Sequence, residues 1–215
     1  MTILNPFGPL IYKETISQEF LSFLLEASEK TREANDWIGE NLAGNIATQL
    51  NARCDPQGFC DHMYPYLVSY VHACKERWNQ GTNTGVETAV QDVKYHLGDG
   101  PWLNFQKQYE FNPLHSHAGD LSAVIMIQIP HQIEDDRQAS VGSTNMPCAG
   151  QLEFFHETAG YLYSGSHKII PRTGDFYFFP ASLKHTVYPF KSDVERITMS
   201  FNVFNVEIIG AKGFD

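Results

Sequence analysis

Basic residues are scarce in this chain. Fifteen Lys and Arg stand against 25 Asp and Glu in 215 residues, a formal net charge of -10. Such a field repels polyanions and disfavours nucleic acid or anionic lipid as partners, although a local basic pocket remains compatible with it. Long apolar runs are missing as well. No uncharged stretch of about 18 apolar residues occurs, and the N-terminal "MTILNPFGPLIYKET" has no basic region leading into one, which argues against a membrane span or a secretory leader. The chain therefore reads as soluble and cytoplasmic, with no membrane partner. Cysteine is sparse: Cys54, Cys60, Cys74 and Cys148, without a secretion signal, point to reduced thiols rather than a disulfide framework. "CDPQGFCDH" brings Cys54, Cys60 and His62 together, but not at the spacing of a usual zinc knuckle. There is no internal repeat and no low-complexity segment.

What is present suits a packed fold. Hydrophobic residues make up 42% and aromatics 13%, which argues against disorder, and one core can grow to roughly 250 residues before a chain splits. A single domain over 1–215 is expected. From Ser17 to about Leu50 apolar residues recur at helical spacing, Phe20, Leu21, Leu24 and Leu25, then Trp37, Ile38, Leu42, Ile46 and Leu50, which predicts two helices. A third is predicted over "HMYPYLVSYVHACKERW", with Pro65 near its first turn, where a missing N–H is harmless. Trp37, Trp78, Tyr64 and Tyr66 read as core residues. The N-terminal part, 1–100, is thus expected to be mostly helical.

After the glycine-rich stretches "QGTNTGV" and "HLGDGPW" the chain reads as β. "FQKQYEF", "LSAVIMIQI", "GQLEFF", "GYLYS", "HKIIPR", "DFYFFP", "HTVYPF" and "RITMSFNVF" are short, aromatic or β-branched, and bounded by turn residues. About eight such segments within roughly 110 residues point to a mainly β jelly-roll or barrel. One connection, "PHQIEDDRQASVGSTNMPCAG", is polar and aperiodic. Loops longer than about 12 to 15 residues are commonly lids or mobile surface segments, and residues 131–149 fit either description.

Among nine histidines, three stand at strand edges: His115 and His117 in "NPLHSHAGDLS", and His185. Side chains two apart on an extended backbone share a face, so His115 and His117 can reach one ion, with His185 closing a facial set from a neighbouring strand. Asp120 has the opposite parity and joins them only if "HAGD" turns, which Gly119 makes feasible. The final strand, "ERITMSFNVF", alternates. Ile197, Met199, Phe201 and Val203 take one face, and Arg196, Thr198, Ser200 and Asn202 the other, which would face the lumen. A guanidinium inside a small barrel is costly without a counterion, and the chain offers no obvious one, so a carboxylate ligand is its natural occupant.

The ordered set H-x-H, a strand, "GDFYFFPASLKHTVYPF" and "RITMSFN" resembles the Fe(II)/2-oxoglutarate-dependent oxygenases. Within that superfamily the chain is similar to the oxygenases found in bacteria and in phages of cyanobacteria. The resemblance covers about residues 100–205. It implies a double-stranded β-helix (jelly-roll) over 101–209 with the N-terminal helices packed on its outside, and an oxidoreductase that takes Fe(II), 2-oxoglutarate, dioxygen and a substrate yet to be identified. It implies that His115 and His185 are metal ligands, with no catalytic group beyond the ligands. Arg196 would grip 2-oxoglutarate with help from Thr198 or Ser200, and Tyr109 would donate a further hydrogen bond.

The chain departs from the usual H-x-D or H-x-E at His117. Three readings stay open: His117 as third ligand, favoured by strand parity; two histidines plus water; or Asp120 as the missing carboxylate, favoured by charge balance. The expected outcome is a dioxygenase that hydroxylates a protein side chain, an amino acid or a small metabolite. A cupin-like metalloenzyme that does not use 2-oxoglutarate and a non-catalytic jelly-roll binding module are the alternatives. Oligomeric state is not encoded legibly; a homodimer is compatible with the sequence.

Overall fold

The computed structural model describes residues 8–82, 90–156, 160 and 164–210. Two antiparallel sheets face each other, and two helices cover the outside of the larger one. In chain order the elements are β1 (Tyr12–Thr15), α1 (Gln18–Ala34), β2 (Gln49–Asn51), α2 (Pro56–Thr82), β3 (Asp92–His96), β4 (Trp102–Gln106), β5 (Asn112–His115) and β6 (Leu121–Gln128). They continue with α3 (His131–Ala139), β7 (Leu152–Phe155), β8 (Ser166–Ile169), β9 (Asp175–Pro180), β10 (Lys184–Val187) and β11 (Arg196–Ile209). The larger sheet runs β1-β9-β6-β11-β4-β2, with β3 pairing the far end of β11; the smaller runs β5-β10-β7-β8. This is the expected jelly-roll. The N-terminal hundred residues are less helical than expected, because they supply β1, β2 and β3 to the larger sheet.

Alternation along the strands explains the layers. In β9, Phe176 and Phe178 enter the core between sheet and helices, while Tyr177 and Phe179 enter the core between the two sheets. A strand buried on both faces reads as a continuous apolar run, as "FYFF" does. β11 obeys the same rule: Ile197, Met199, Phe201 and Val203 pack outward against Phe20 and Leu24 of α1 and Phe59, Met63 and Leu67 of α2. Phe201 meets Phe59 edge to face at 5.2 Å, and truncating such a ring to Ala costs about 3–5 kcal/mol.

Helix boundaries follow their caps. Ser17 accepts the N–H of Phe20 at 3.1 Å to open α1, and Asn35, in the left-handed region at φ 50°, closes it. The second helix expected before Leu50 does not form. Beyond a short turn at Gly39–Asn41 the chain runs irregularly, with bends at Leu42, Gly44 and Ala47, into β2; Gly39 lies under the Trp37 ring and Gly44 against the Asn112 side chain, where a Cβ would sit 2.8 Å and 2.3 Å from its neighbours. Trp37 is 54% exposed rather than core, whereas Tyr64 and Tyr66 pack against the core as expected. Pro65 lies well inside α2; Pro56 takes the first turn, behind Asp55, whose carboxylate accepts the Gly58 N–H at 2.8 Å. The Trp78 side chain and most of "GYLYS" fall outside the described residues.

The aperiodic segment contains a helix, α3. Its Ile133 is buried against Gly150, and Asp136 accepts the N–H groups of Lys191 and Ser192 at 2.7 Å each. These contacts pin the segment beside the start of β11. Among the described residues, no helix is long and apolar enough to cross a membrane.

Candidate active site

Between the sheets lies a cleft of about 730 Å³. The smaller sheet lays β5 against β10 with His115 directly opposite His185, so 70 positions of sequence collapse into one cross-strand pair. His117 follows as β5 ends, its N–H held by the Ala181 carbonyl at 2.9 Å. The three rings cluster, tilted or edge-on to one another, with centroids 4.3–5.1 Å apart, and one nitrogen from each lies within 4.8 Å of the others.

Backbone carbonyls fix which nitrogen is free. His115 Nδ1 lies 2.7 Å from the Pro113 carbonyl and His185 Nδ1 lies 3.0 Å from that of Leu183, so each Nδ1 carries the proton and each Nε2 presents a lone pair. His117 Nε2 sits 3.3 Å from His185 Nε2. Two nitrogens each ~2.0–2.1 Å from one ion are separated by roughly 3.0–3.4 Å, so this spacing suits a shared metal. Burial, reinforced by His115, pushes the His117 imidazole down to about 4 and that of His185 down to about 3. Both are neutral at physiological pH, as ligands must be. The donor set fits a divalent first-row metal such as iron, for which imidazole is a suitable ligand.

Asp120 is not brought in. The turn at Gly119 forms, with φ 103°, but it carries Asp120 onto β11, where the carboxylate accepts the Val206 N–H at 2.9 Å and the backbone N–H meets the Val203 carbonyl. Tyr109 is also misplaced by the sequence reading. Residues 107–110 form a turn rather than the middle of a strand, with Tyr109 at φ 63° and 64% exposed, and it lines a separate surface groove beside Trp37.

At the other end of the cleft the lumen face of β11 presents Arg196, Thr198, Ser200 and Asn202. Arg196 is 3% exposed and, among the described residues, has no carboxylate partner. Nη1 donates to the Gly150 carbonyl at 2.6 Å, Nη2 donates to Gln106 Oε1, and Nε is buried without an acceptor. Burial alone lowers its pKa to about 10, so the charge persists at neutral pH. Among the described residues that line the cleft, only Asp99 and Arg196 are formally charged. A buried cation with neutral partners and an unused N–H fits a carboxylate-bearing cosubstrate. Gln49, Asn104 and Gln106 complete this wall and were not singled out in the sequence. The signal for Asn104 and Gln106 was the alternation Trp102, Asn104, Gln106 against Leu103 and Phe105 in "WLNFQ", hidden when the strand is begun at Phe105.

A jelly-roll that gathers three imidazoles and a buried arginine with neutral partners in one cleft offers groups suited to a metal ion and a carboxylate. The family described as "Putative 2OG-Fe(II) oxygenase" matches residues 100–202, which span the three histidines and Arg196. This stretch of the chain, which holds the candidate site, thus matches the Fe(II)- and 2-oxoglutarate-dependent oxygenases, an oxidoreductase family. Its fold is shared with a prolyl hydroxylase from Trichoplax adhaerens, in complex with a hypoxia inducible factor peptide fragment, at 16% identity and a TM-score of 0.50, covering 92% of this chain and 83% of that one. A Pseudomonas putida prolyl-4-hydroxylase aligns at 17% identity and a TM-score of 0.49, over 89% and 91% of the two chains. Among curated protein sequences the chain has no match.

Proposed function

We propose that the protein hydroxylates a C–H bond of a substrate seated at the cleft mouth, with His115, His117 and His185 as the iron ligands. Arg196, assisted by Thr198 and Ser200, binds the far carboxylate of 2-oxoglutarate. The observation that carries this reading is the pairing, in one cleft, of three closely spaced imidazoles with a buried guanidinium that has no counterion among the described residues. Bound together, iron and 2-oxoglutarate supply an oxidation in which dioxygen gives one atom to the substrate and one to succinate, with release of carbon dioxide.

The chain's own contribution is placement. The Pro113 and Leu183 carbonyls hold two imidazoles in the ligating tautomer. Val124, Met126 and Phe179 of the larger sheet and Leu152 of the smaller one give the cleft an apolar lining that disfavours bulk water at the reacting centre. Arg196 argues against a cupin-like reaction independent of 2-oxoglutarate, since a histidine-bound metal alone gives no reason for a buried cation at the other end of the cleft. The test is succinate formation from 2-oxoglutarate under oxygen with Fe(II). Wild type is expected to show slow uncoupled turnover and His115→Ala none. Activity independent of 2-oxoglutarate in both wild type and Arg196→Ala would refute the reading.

A further inference from the structure

Three strands lay polar side chains in register across the cleft floor. Gln49 of β2 stands opposite Asn104 of β4, which stands opposite Thr198 of β11, and the three are 2%, 5% and 8% exposed. Gln49 Nε2 donates to Asn104 Oδ1 at 2.9 Å. Asn104 Nδ2 in turn donates to Thr198 Oγ1 at 3.3 Å and to Ser200 Oγ at 3.4 Å.

The direction of this chain has a chemical consequence. A carboxamide carries an acceptor oxygen at one end and a two-proton donor nitrogen at the other. Gln49 occupies the oxygen of Asn104, so the nitrogen faces β11, and its two protons serve the two hydroxyls. Each hydroxyl oxygen accepts from Asn104 and keeps its own proton, and among the described residues neither hydroxyl donates that proton to anything. With Asn104 reversed, both hydroxyls would donate to its oxygen instead. Gln106 repeats the device beside Arg196: its Nε2 donates to the Glu110 carbonyl at 2.5 Å, which leaves Oε1 for the guanidinium. Arg196 Nε and the two hydroxyl protons are then unused donors on one strand face, all addressed to an anion.

We propose that Asn104, oriented by Gln49, is a positioning residue that commits the protons of Thr198 and Ser200 to a carboxylate held at Arg196. The proposal rests on reading the cleft as the 2-oxoglutarate site. Its ligand chemistry is the far carboxylate of a 2-oxo diacid; a 2-oxo monoacid gains nothing from the relay.

The test uses the full-length protein loaded with Mn(II), a redox-silent probe, and measures binding of 2-oxoglutarate and of 2-oxobutanoate, which keeps the 2-oxo acid end and lacks the far carboxylate. Asn104→Ala is expected to weaken 2-oxoglutarate about five- to tenfold. It should leave 2-oxobutanoate and Mn(II) binding within about twofold of wild type, the spread usual for a site not touched by the change. Gln49→Ala, which keeps Asn104 but lets it turn, should give the same selective loss in smaller degree. Combined with Thr198→Val and Ser200→Ala, Asn104→Ala should cause no further loss, because its effect passes through those hydroxyls. Unchanged 2-oxoglutarate binding, equal weakening of both acids, or full additivity with the hydroxyl variants would overturn the proposal. If wild type itself does not prefer the diacid, the reading of the cleft fails and takes the relay with it; a preference kept by both wild type and Asn104→Ala removes the relay alone.

Discussion

The two ends of the cleft solve opposite electrostatic problems. At the histidine end, strand edges of the smaller sheet crowd three imidazoles together, and burial strips two of them of their protons, so neutral lone pairs face a common point. At the arginine end, the middle of the larger sheet buries a full positive charge and surrounds it with carbonyl and amide oxygens, none of them anionic. One end is prepared for a cation and the other for an anion. Burial disfavours protonation of the imidazoles, and it leaves the guanidinium with no counterion among the described residues. A ligand with an oxo acid at one terminus and a carboxylate at the other satisfies both at once.

The comparison breaks most severely if the histidine end is removed. His185→Ala is expected to lower Mn(II) affinity by more than about a hundredfold, since even indirect partners of metal ligands cost 10–100-fold. Equilibrium dialysis with and without 2-oxoglutarate measures it, and retained binding would mean that the metal sits elsewhere. Next in size is the arginine end. Arg196→Met should weaken 2-oxoglutarate by about 3 kcal/mol, roughly a hundredfold, with Mn(II) binding intact. The same variant, free of ligand, should be more stable than wild type by about 1–4 kcal/mol. A lower denaturation midpoint would show that the charge is compensated within the free protein.

A third experiment separates the ends by pH. In the metal-free protein His117 and His185 are held below their ordinary value, so between pH 6.5 and about 4 the unfolded chain binds protons that the folded chain refuses. Stability present above pH 6.5 is therefore lost as pH falls towards 4. Urea titrations in chelator at pH 7 and pH 5 should show it, and a flat profile would mean that both rings reach water. The smallest effect is expected from Asp120→Asn. It removes only charge from an acceptor of the Val206 N–H, so Mn(II) affinity should stay within about twofold of wild type and stability fall by no more than about 1 kcal/mol. A large loss of metal would restore Asp120 as a ligand.

Much of this was legible from residues alone. The parity of "ERITMSFNVF" told which side chains of β11 enter the lumen, and the structure places them there because every second residue of a strand meets the same layer. The spacing of His115 and His117 put two imidazoles on one side of the chain. Where local pattern misled, glycine contacts and turns were responsible. Gly39 and Gly44 allow close packing that a helical period over 37–50 conceals, and the turn at 107–110 sends Tyr109 to the surface. Asp120 shows the limit well. Gly119 permits a turn, but the sequence carries no sign of its direction, which the Val203 carbonyl and Val206 N–H decide.

What the amino-acid order determined by itself was alternation: which side chains of each strand meet water, helix or lumen, because that depends only on backbone geometry repeated every second residue. Tertiary structure alone decided adjacency. Pairing β10 with β5 set His185 beside His115, and pairing β4 with β2 and β11 set Asn104 between Gln49 and Thr198. Those partners are joined by hydrogen bonds and shared burial between strands far apart in the chain, and no local period records which strands will meet.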